Sequence, residues 1–278
     1  MKTIGLIGGM SWESSAEYYR LINQDMKQRL GGHHNARSVM VTVSFERIKA
    51  LQHAQRWDEL GECMQQAALQ VQAAGADFVL LCTNTMHRVA PALEAALDIP
   101  FLHIVDPTAQ ALRRSGITRV GLLGTAFTME QDFYRGRMRE RHGIEVVVPQ
   151  AADRALVHGI IYDELCHGIV RDRSRDAYRR IIDDLQDRGA GGVILGCTEI
   201  ALLIGQDDVA LPVFDTTALH AQAAVGWALE GAVPTHETGH AADFVVAAFH
   251  GQRDAAECRS PWQSSRLFLS MRMRLIAS

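Results

Sequence analysis

No apolar run in the chain approaches the roughly 20 residues that a membrane-spanning helix needs. The longest clean stretches, such as Phe78 to Cys82, stop far short of that. There is no excess of basic residues either: 28 Lys+Arg stand against 32 Asp+Glu, for a formal net charge of −4. That balance excludes a nucleic-acid binder, whose affinity depends on clustered cations displacing phosphate counterions. No two cysteines have the C-x-x-C spacing, and the 5 cysteines are irregularly placed. They read as reduced thiols of a cytoplasmic protein, not as a disulfide framework or a metal site. The apolar run after Met1-Lys2-Thr3 closes at Gly8-Gly9, too soon for a secretory segment. Apolar residues themselves are not scarce. At 47% hydrophobic and 22% charged, the chain is not a disordered acidic polymer. Its 278 residues suit one large domain or two small ones, each with a core.

The pattern within that composition is α/β. Thr3 to Gly9 is a short apolar run ending in glycines, the mark of a buried parallel strand entering a loop. A helix is expected from Ser14 to Leu30, with Tyr18, Leu21, Ile22 and Met26 on one face. A β-branched strand is expected from Val39 to Phe45. A second helix, from about Trp57 to Ala74, is capped by Gly75 and leads to the buried strand Phe78 to Leu81. Strand and helix alternate in this way to about residue 230, which predicts central, mostly parallel sheets.

An internal repeat with an offset of about 115 residues is the most informative feature. Ile4-Gly5-Leu6-Ile7-Gly8 returns as Val120-Gly121-Leu122-Leu123-Gly124, and Tyr18-Tyr19-Arg20 as Phe133-Tyr134-Arg135. Gly75-Ala76 and Val79 to Thr83 return as Gly189-Ala190 and Val193 to Cys197. Pro100 to His103 returns as Pro212 to Asp215. Two similar α/β halves follow, facing each other across a cleft. We expect residues 1–98 with about 213–231 to form the first domain, 99–212 the second, and 232–278 a tail of unassigned role. In open α/β sheets, ligands sit beyond the carboxyl ends of the strands. The repeat therefore brings two equivalent positions to the cleft, Thr83 and Cys197.

The motifs at those positions allow more than one reading. Thr83-Asn84-Thr85-Met86-His87 after a buried strand can hold a carboxylate or ammonium group, or can simply cap a helix. Cys197 in Gly196-Cys197-Thr198-Glu199 can be a thiol activated at a helix N-terminus, or an inert buried cysteine. Gly5-x-x-Gly8-Gly9 lacks the G-x-G-x-x-G spacing of a dinucleotide turn, and suits a loop offering N–H groups to a small carboxylate. Cys63, Cys166 and Cys258 read as structural. Among the scattered histidines, His87 stands out, one turn beyond Thr83.

From Met1 to about residue 230 the sequence resembles the cofactor-independent aspartate/glutamate racemase family. It is similar to the enteric amino-acid racemases that act on aspartate and glutamate or on a broader range. The resemblance rests on Gly8 to Ser14, Cys82 to His87, Met129 to Arg135, Gly196 to Glu199 and Pro212 to Thr216. It implies two pseudo-symmetric α/β domains with the active site between them, no cofactor (in particular no pyridoxal phosphate), a small amino-acid substrate and a homodimer. It implies proton transfer at Cα by two residues on opposite faces. It further implies that Met10, Ser11, Thr83, Asn84, Thr85 and Thr198 contact substrate. Gln52 and Glu164 match substrate-contacting positions, Glu164 as a partner of the α-ammonium. Arg47, after the second strand, is a candidate for the distal carboxylate.

One position departs from the family pattern. Thr83 stands where the family has its first cysteine, and Cys82 falls one residue early. Adjacent strand residues face opposite sides, so Cys82 should point into the domain. A hydroxyl is a far weaker acid than a thiol, whose reference pKa is about 8.5. Catalysis should therefore be asymmetric, with Cys197 as the competent base, its thiolate accessible near neutral pH, and Thr83 as proton donor or relay. His87 or a water is available to assist. The alternatives are a single-cysteine decarboxylase or isomerase of a small dicarboxylate, and a racemase-like binding protein with little turnover.

Overall fold

A computed structural model describes residues 1–230. The whole of the expected 232–278 tail, Cys258 included, lies outside the described residues. The chain builds two parallel sheets. In the first, β1 (Ile4–Gly8) lies between β2 (Ser38–Thr42) and β3 (Phe78–Leu81). In the second, the order is β5 (Glu145–Val147), β4 (Arg119–Gly124), β6 (Val193–Gly196), β7 (Val213–Asp215). Around them run α1 (Trp12–Leu30), α2 (Phe45–His53), α3 (Trp57–Ala73), α4 (Ala90–Ala96), α5 (Val105–Arg114), α6 (Ala126–Glu130), α7 (Asp132–His142), α8 (Ala151–Asp163), α9 (Asp172–Asp187) and α10 (Thr216–Leu229). The strand expected to reach Phe45 stops at Thr42, and Phe45 instead opens α2 behind an extended Ser44.

The repeat is visible in the strand register. Gly5 pairs with Val79 and Leu6 with Leu80, as Gly121 pairs with Val193 and Leu122 with Ile194. A parallel bridge from Val79 to Phe101 flanks β3 on the side where β7 flanks β6. The two strand glycines are needed for the same reason. A Cβ on Gly5 would run into Val71 of α3, and one on Gly121 would lie 2.9 Å from Leu185 of α9. Each first strand thus lies directly against the helix that precedes the third strand of its own sheet. Tyr18 on α1 and Tyr134 on α7, matched in the repeat, are both fully buried. Burying one such ring is worth about 1.5–3 kcal/mol.

Three apolar clusters hold these layers. One fills the second sheet and includes Leu122, Ile194, Tyr134, Tyr178 and Leu185. The other two lie around the first sheet. One joins Ile7, Val71 and Leu81, and the other joins Ile4, Tyr18 and Phe78 to Ala221, Ala224 and Val225 of α10. The chain therefore leaves the second sheet at β7 and returns to the first. Asp215 starts α10 by accepting the backbone N–H groups of Thr217 (2.8 Å) and Ala218 (3.3 Å). β7 pairs within the second sheet although the expected boundary at residue 212 put it with the first half. Phe101 pairs with the first sheet although it follows the expected boundary at 98.

Candidate active site

A cavity of about 720 Å³ opens at the carboxyl ends of the strands of both sheets. Met10, Ser11, Gln52, Thr83, Asn84, Thr85, Cys197 and Thr198, all anticipated from the sequence, lie on its wall. The glycine loop supplies the first two. Gly9 adopts φ +92°, where a Cβ would collide with the backbone of Val43, and its N–H donates to the Ser15 hydroxyl at 2.8 Å. That turn carries the chain from β1 into α1, whose N-cap is Ser11, accepting the Ser14 N–H at 3.2 Å.

Two expected residues are elsewhere. Glu164 does not line the cavity. Its carboxylate accepts from the Ser174 hydroxyl at 2.5 Å, from Arg171 at 2.6 Å and from Arg173 at 3.4 Å. Those donors, Ser174 foremost, hold it below the usual carboxylate range, so it is fully engaged within its own half. Arg47 is exposed on α2 and also off the cavity wall. Two residues on, Lys49 is the cationic side chain that lines it among the described residues.

Cys197 follows β6 and is half-buried, and the turn after it, Thr198–Leu202, is a five-residue 3-10 segment. The Cys197 thiol donates to Oε2 of Glu199 at 2.9 Å. Burial and then the Glu199 carboxylate push its pKa well up, so the thiol form is favoured. This direction is opposite to that of the thiolate expected from the sequence near neutral pH. A short 3-10 turn gives no strong dipole, and the nearest charge is negative. Tyr162 on α8 shares the same wall, and burial together with Cys197 raises its phenol to about 12. Cys166, read from the sequence as structural, also lines the cavity, and burial raises its thiol to about 12. Cys63 packs against the core, as expected, and Cys82 is fully buried in the first half.

The sequence profile of the Asp/Glu/hydantoin racemases matches residues 7–224. The chain belongs to that family. A Yersinia pestis protein assigned to the Asp/Glu racemases is 52% identical, with a TM-score of 0.79 over 82% of this chain and 100% of that one. An aspartate racemase homologue from Pyrococcus horikoshii is 31% identical, with a TM-score of 0.74 over 82% of this chain and 99% of that one. In sequence, a broad-specificity amino-acid racemase of Bacillus subtilis is 23% identical over 60% of this chain and 72% of that protein. The two-sheet α/β architecture is that of the family, whose enzymes are isomerases.

In this racemase-family site the Thr83 wall differs from the Cys197 wall. His87, a candidate for assisting proton transfer, is buried behind Thr83 and does not line the cavity. Its Nδ1 donates to the Thr83 carbonyl at 2.8 Å, and its Nε2 accepts the Ile104 N–H at 3.2 Å. A carbonyl only accepts and a backbone N–H only donates, which fixes the neutral tautomer. Burial, with His220 nearby, pushes its pKa down to about 3. His87 therefore braces the Thr83 backbone, with both ring nitrogens engaged by the main chain. His103 stacks edge-on at 4.5 Å, and His220 bridges the Tyr18 hydroxyl (2.8 Å) and the Leu102 carbonyl (2.9 Å).

Asn84 has one satisfied end and one free end. Its Nδ2 donates to Thr216 Oγ1 at 3.0 Å, which in turn donates to the Leu195 carbonyl at 2.9 Å. Its Oδ1 is buried without a partner among the described residues. An unmet buried acceptor costs about 1–3 kcal/mol, which a bound donor group recovers. The residues that sequence reasoning left unassigned are Glu199, Ser14, Tyr162 and Lys49. Glu199 was within reach, since it stands two residues after Cys197 in the motif itself.

Proposed function

We propose that this protein is a cofactor-independent amino-acid racemase for aspartate, glutamate or a broader range, exchanging the Cα proton between Cys197 and Thr83 on opposite faces of the substrate. One observation carries the reading: the ends of β3 and β6, equivalent in the repeat, bring Thr83 and Cys197 to the wall of one cavity. A mirror-image product requires a donor opposite the base, and two equivalent strand ends supply opposed positions.

The chemistry follows from the hydrogen bonds. As substrate enters, Glu199 takes the thiol proton that Cys197 already directs at it. The thiolate then removes the Cα proton and Thr83 delivers a proton to the other face; Thr83 recovers a proton from solvent and Glu199 releases the one it took, which restores the resting state. Asn84 Oδ1 accepts from the substrate ammonium, and the hydroxyls of Ser11 and Thr85 and the Lys49 ammonium meet its carboxylates. The halves that carry this out are residues 1–98 with about 213–231 and residues 99–212, with Phe101 working beside β3 and β7 beside β6. A homodimer in the cytoplasm belongs to the same reading, and sedimentation at monomer mass would contradict the dimer.

The test supplies each common amino acid as a single enantiomer in D2O. A racemase puts deuterium on Cα with loss of chirality. A decarboxylase releases carbon dioxide, and a binding protein does neither. Either of the last two outcomes rejects the proposal.

A further inference from the structure

Ser14 has no place in the chemistry above, yet its side chain is almost wholly buried at the point where the two halves meet. It lies in the first turn of α1, on the first half, and besides Ser11 its side chain meets residues of the second. Its hydroxyl stands 2.9 Å from Thr198 Oγ1 and 3.4 Å from Glu199 Oε1. Ser11 Oγ, 3.4 Å from Ser14 Oγ, stands 3.5 Å from the same Glu199 oxygen. Glu199 is thus divided between the halves. Oε1 faces hydroxyls of the first, and Oε2 holds the Cys197 thiol of the second at 2.9 Å.

From this geometry we infer that Ser14 is a positioning residue: it fixes the Glu199 carboxylate against the Cys197 thiol and makes that alignment depend on the two halves being together. The inference rests on the reading of Cys197 as the base with Glu199 as its proton acceptor. With Oε1 facing the Ser14 and Ser11 hydroxyls at 3.4 and 3.5 Å, the carboxylate is restrained from turning away from Sγ. Among the described residues, the groups facing Glu199 are few. They are the Cys197 thiol on its own segment, the Tyr162 phenol on α8, the Cys166 thiol on the turn after α8, and the serine hydroxyls of α1. Glu13 on α1 and Lys49 on α2 act on Cys166.

The variant is Ser14→Ala. It removes one hydroxyl, leaves the backbone N–H that Ser11 caps, and places a good helix former in α1. Two quantities are read. The first is the rate at which iodoacetamide alkylates Cys197, followed across pH on the peptide containing it. Loosening Glu199 lowers the thiol pKa, so alkylation below the thiol's titration should speed up by about threefold or more, equivalent to half a pKa unit. Glu199→Gln should speed it further, and adding Ser14→Ala to Glu199→Gln should change nothing more. The second is turnover. For Ser14→Ala, kcat should fall about tenfold, the loss of one hydrogen bond to a charged group, with KM nearly unchanged. Ser14→Thr, which keeps the hydroxyl, should restore both. An alkylation profile identical to the parent's overturns the inference. So does an effect of Ser14→Ala that persists undiminished in the Glu199→Gln background, because Ser14 then acts by another route. The alkylation arm needs no turnover. A parent that racemises nothing while the Ser14→Ala shift is present rejects the proposed function and leaves the Ser14–Glu199 link standing.

Discussion

At the end of β3 the chain presents Thr83, a hydroxyl whose own carbonyl is tied by a neutral buried histidine. At the equivalent end of β6 it presents Cys197, a thiol directed at a carboxylate. The strands that lead to the two ends share their register, and Gly5 of one matches Gly121 of the other, although Gly196 stands where the first half has Cys82. The chemistry of the two ends differs. Behind Thr83 stand His87, His103 and His220, all kept uncharged by burial. Behind Cys197 stand Glu199, Tyr162 and Cys166. In the proposed reaction a duplicated scaffold fixes where two groups act, while the residues behind each strand end decide what each can do. For a racemase the equilibrium between free enantiomers stays near one, and the Haldane relation ties the two kcat/KM values together. Unlike walls must then show themselves as unequal saturation in the two directions.

The comparison breaks most severely if Cys197 is removed. Cys197→Ala should lower racemisation by about 10³-fold or more while the far-UV spectrum and melting point stay near the parent's. A parent-like rate would show that the β6 wall holds no base. Glu199→Gln should separate two properties of the same thiol. Turnover should fall by about 10²-fold because the thiol proton has no acceptor. Alkylation of Cys197 should nevertheless begin at lower pH, because the raising charge is gone. Both quantities falling together would contradict the role given to Glu199. Thr83→Cys should sharpen the comparison by making the walls chemically alike. The slower direction should gain about tenfold in kcat, read from progress curves started with each pure enantiomer.

The gentlest effect is on stability. His87 and His220 have folded pKa values of about 3 and about 4, both depressed by burial from an unfolded value near 6.5. Below pH 6.5 the unfolded chain binds protons that the folded one refuses. Stability is therefore fully present above that pH and is lost as pH falls toward 4. Each buried neutral histidine removes up to about 1.4 kcal/mol per pH unit over that window. Urea midpoints measured from pH 7 to pH 4 should decline, and a flat profile would mean that these rings are charged or solvated in the folded protein.

Much of this was legible before any coordinates. The repeat alone led to Thr83 and Cys197, because it is carried by apolar strand residues and packing glycines, which a sequence displays openly. The assignments that went astray concern side chains whose partners lie elsewhere. Glu164 matches a substrate-contacting position of the family, but Arg171 and Ser174 have taken its carboxylate. His87 has the spacing of a proton shuttle, but the 3-10 turn Thr85–Val89 directs its ring away from the cavity, toward Thr83's carbonyl and Ile104's N–H. Arg47 and Lys49 are indistinguishable by charge, and only the helical phase of α2 puts Lys49 on the wall. Glu199 was in a quoted motif, but its approach to Sγ depends on that second 3-10 turn and on serines nearly 190 residues earlier. The expected depression of the Cys197 thiol pKa finds no support in the following segment, a short 3-10 turn, and burial with Glu199 shifts it upward instead.

The most direct test of opposed, unequal walls is Thr83→Ala supplied with each pure enantiomer of a turned-over amino acid in D2O. With Cys197 intact and no donor opposite, one enantiomer should take deuterium at Cα with its configuration retained, the other should not exchange, and inversion should nearly cease. Racemisation of both enantiomers at the parent's rate would contradict the account and remove Thr83 from the reaction.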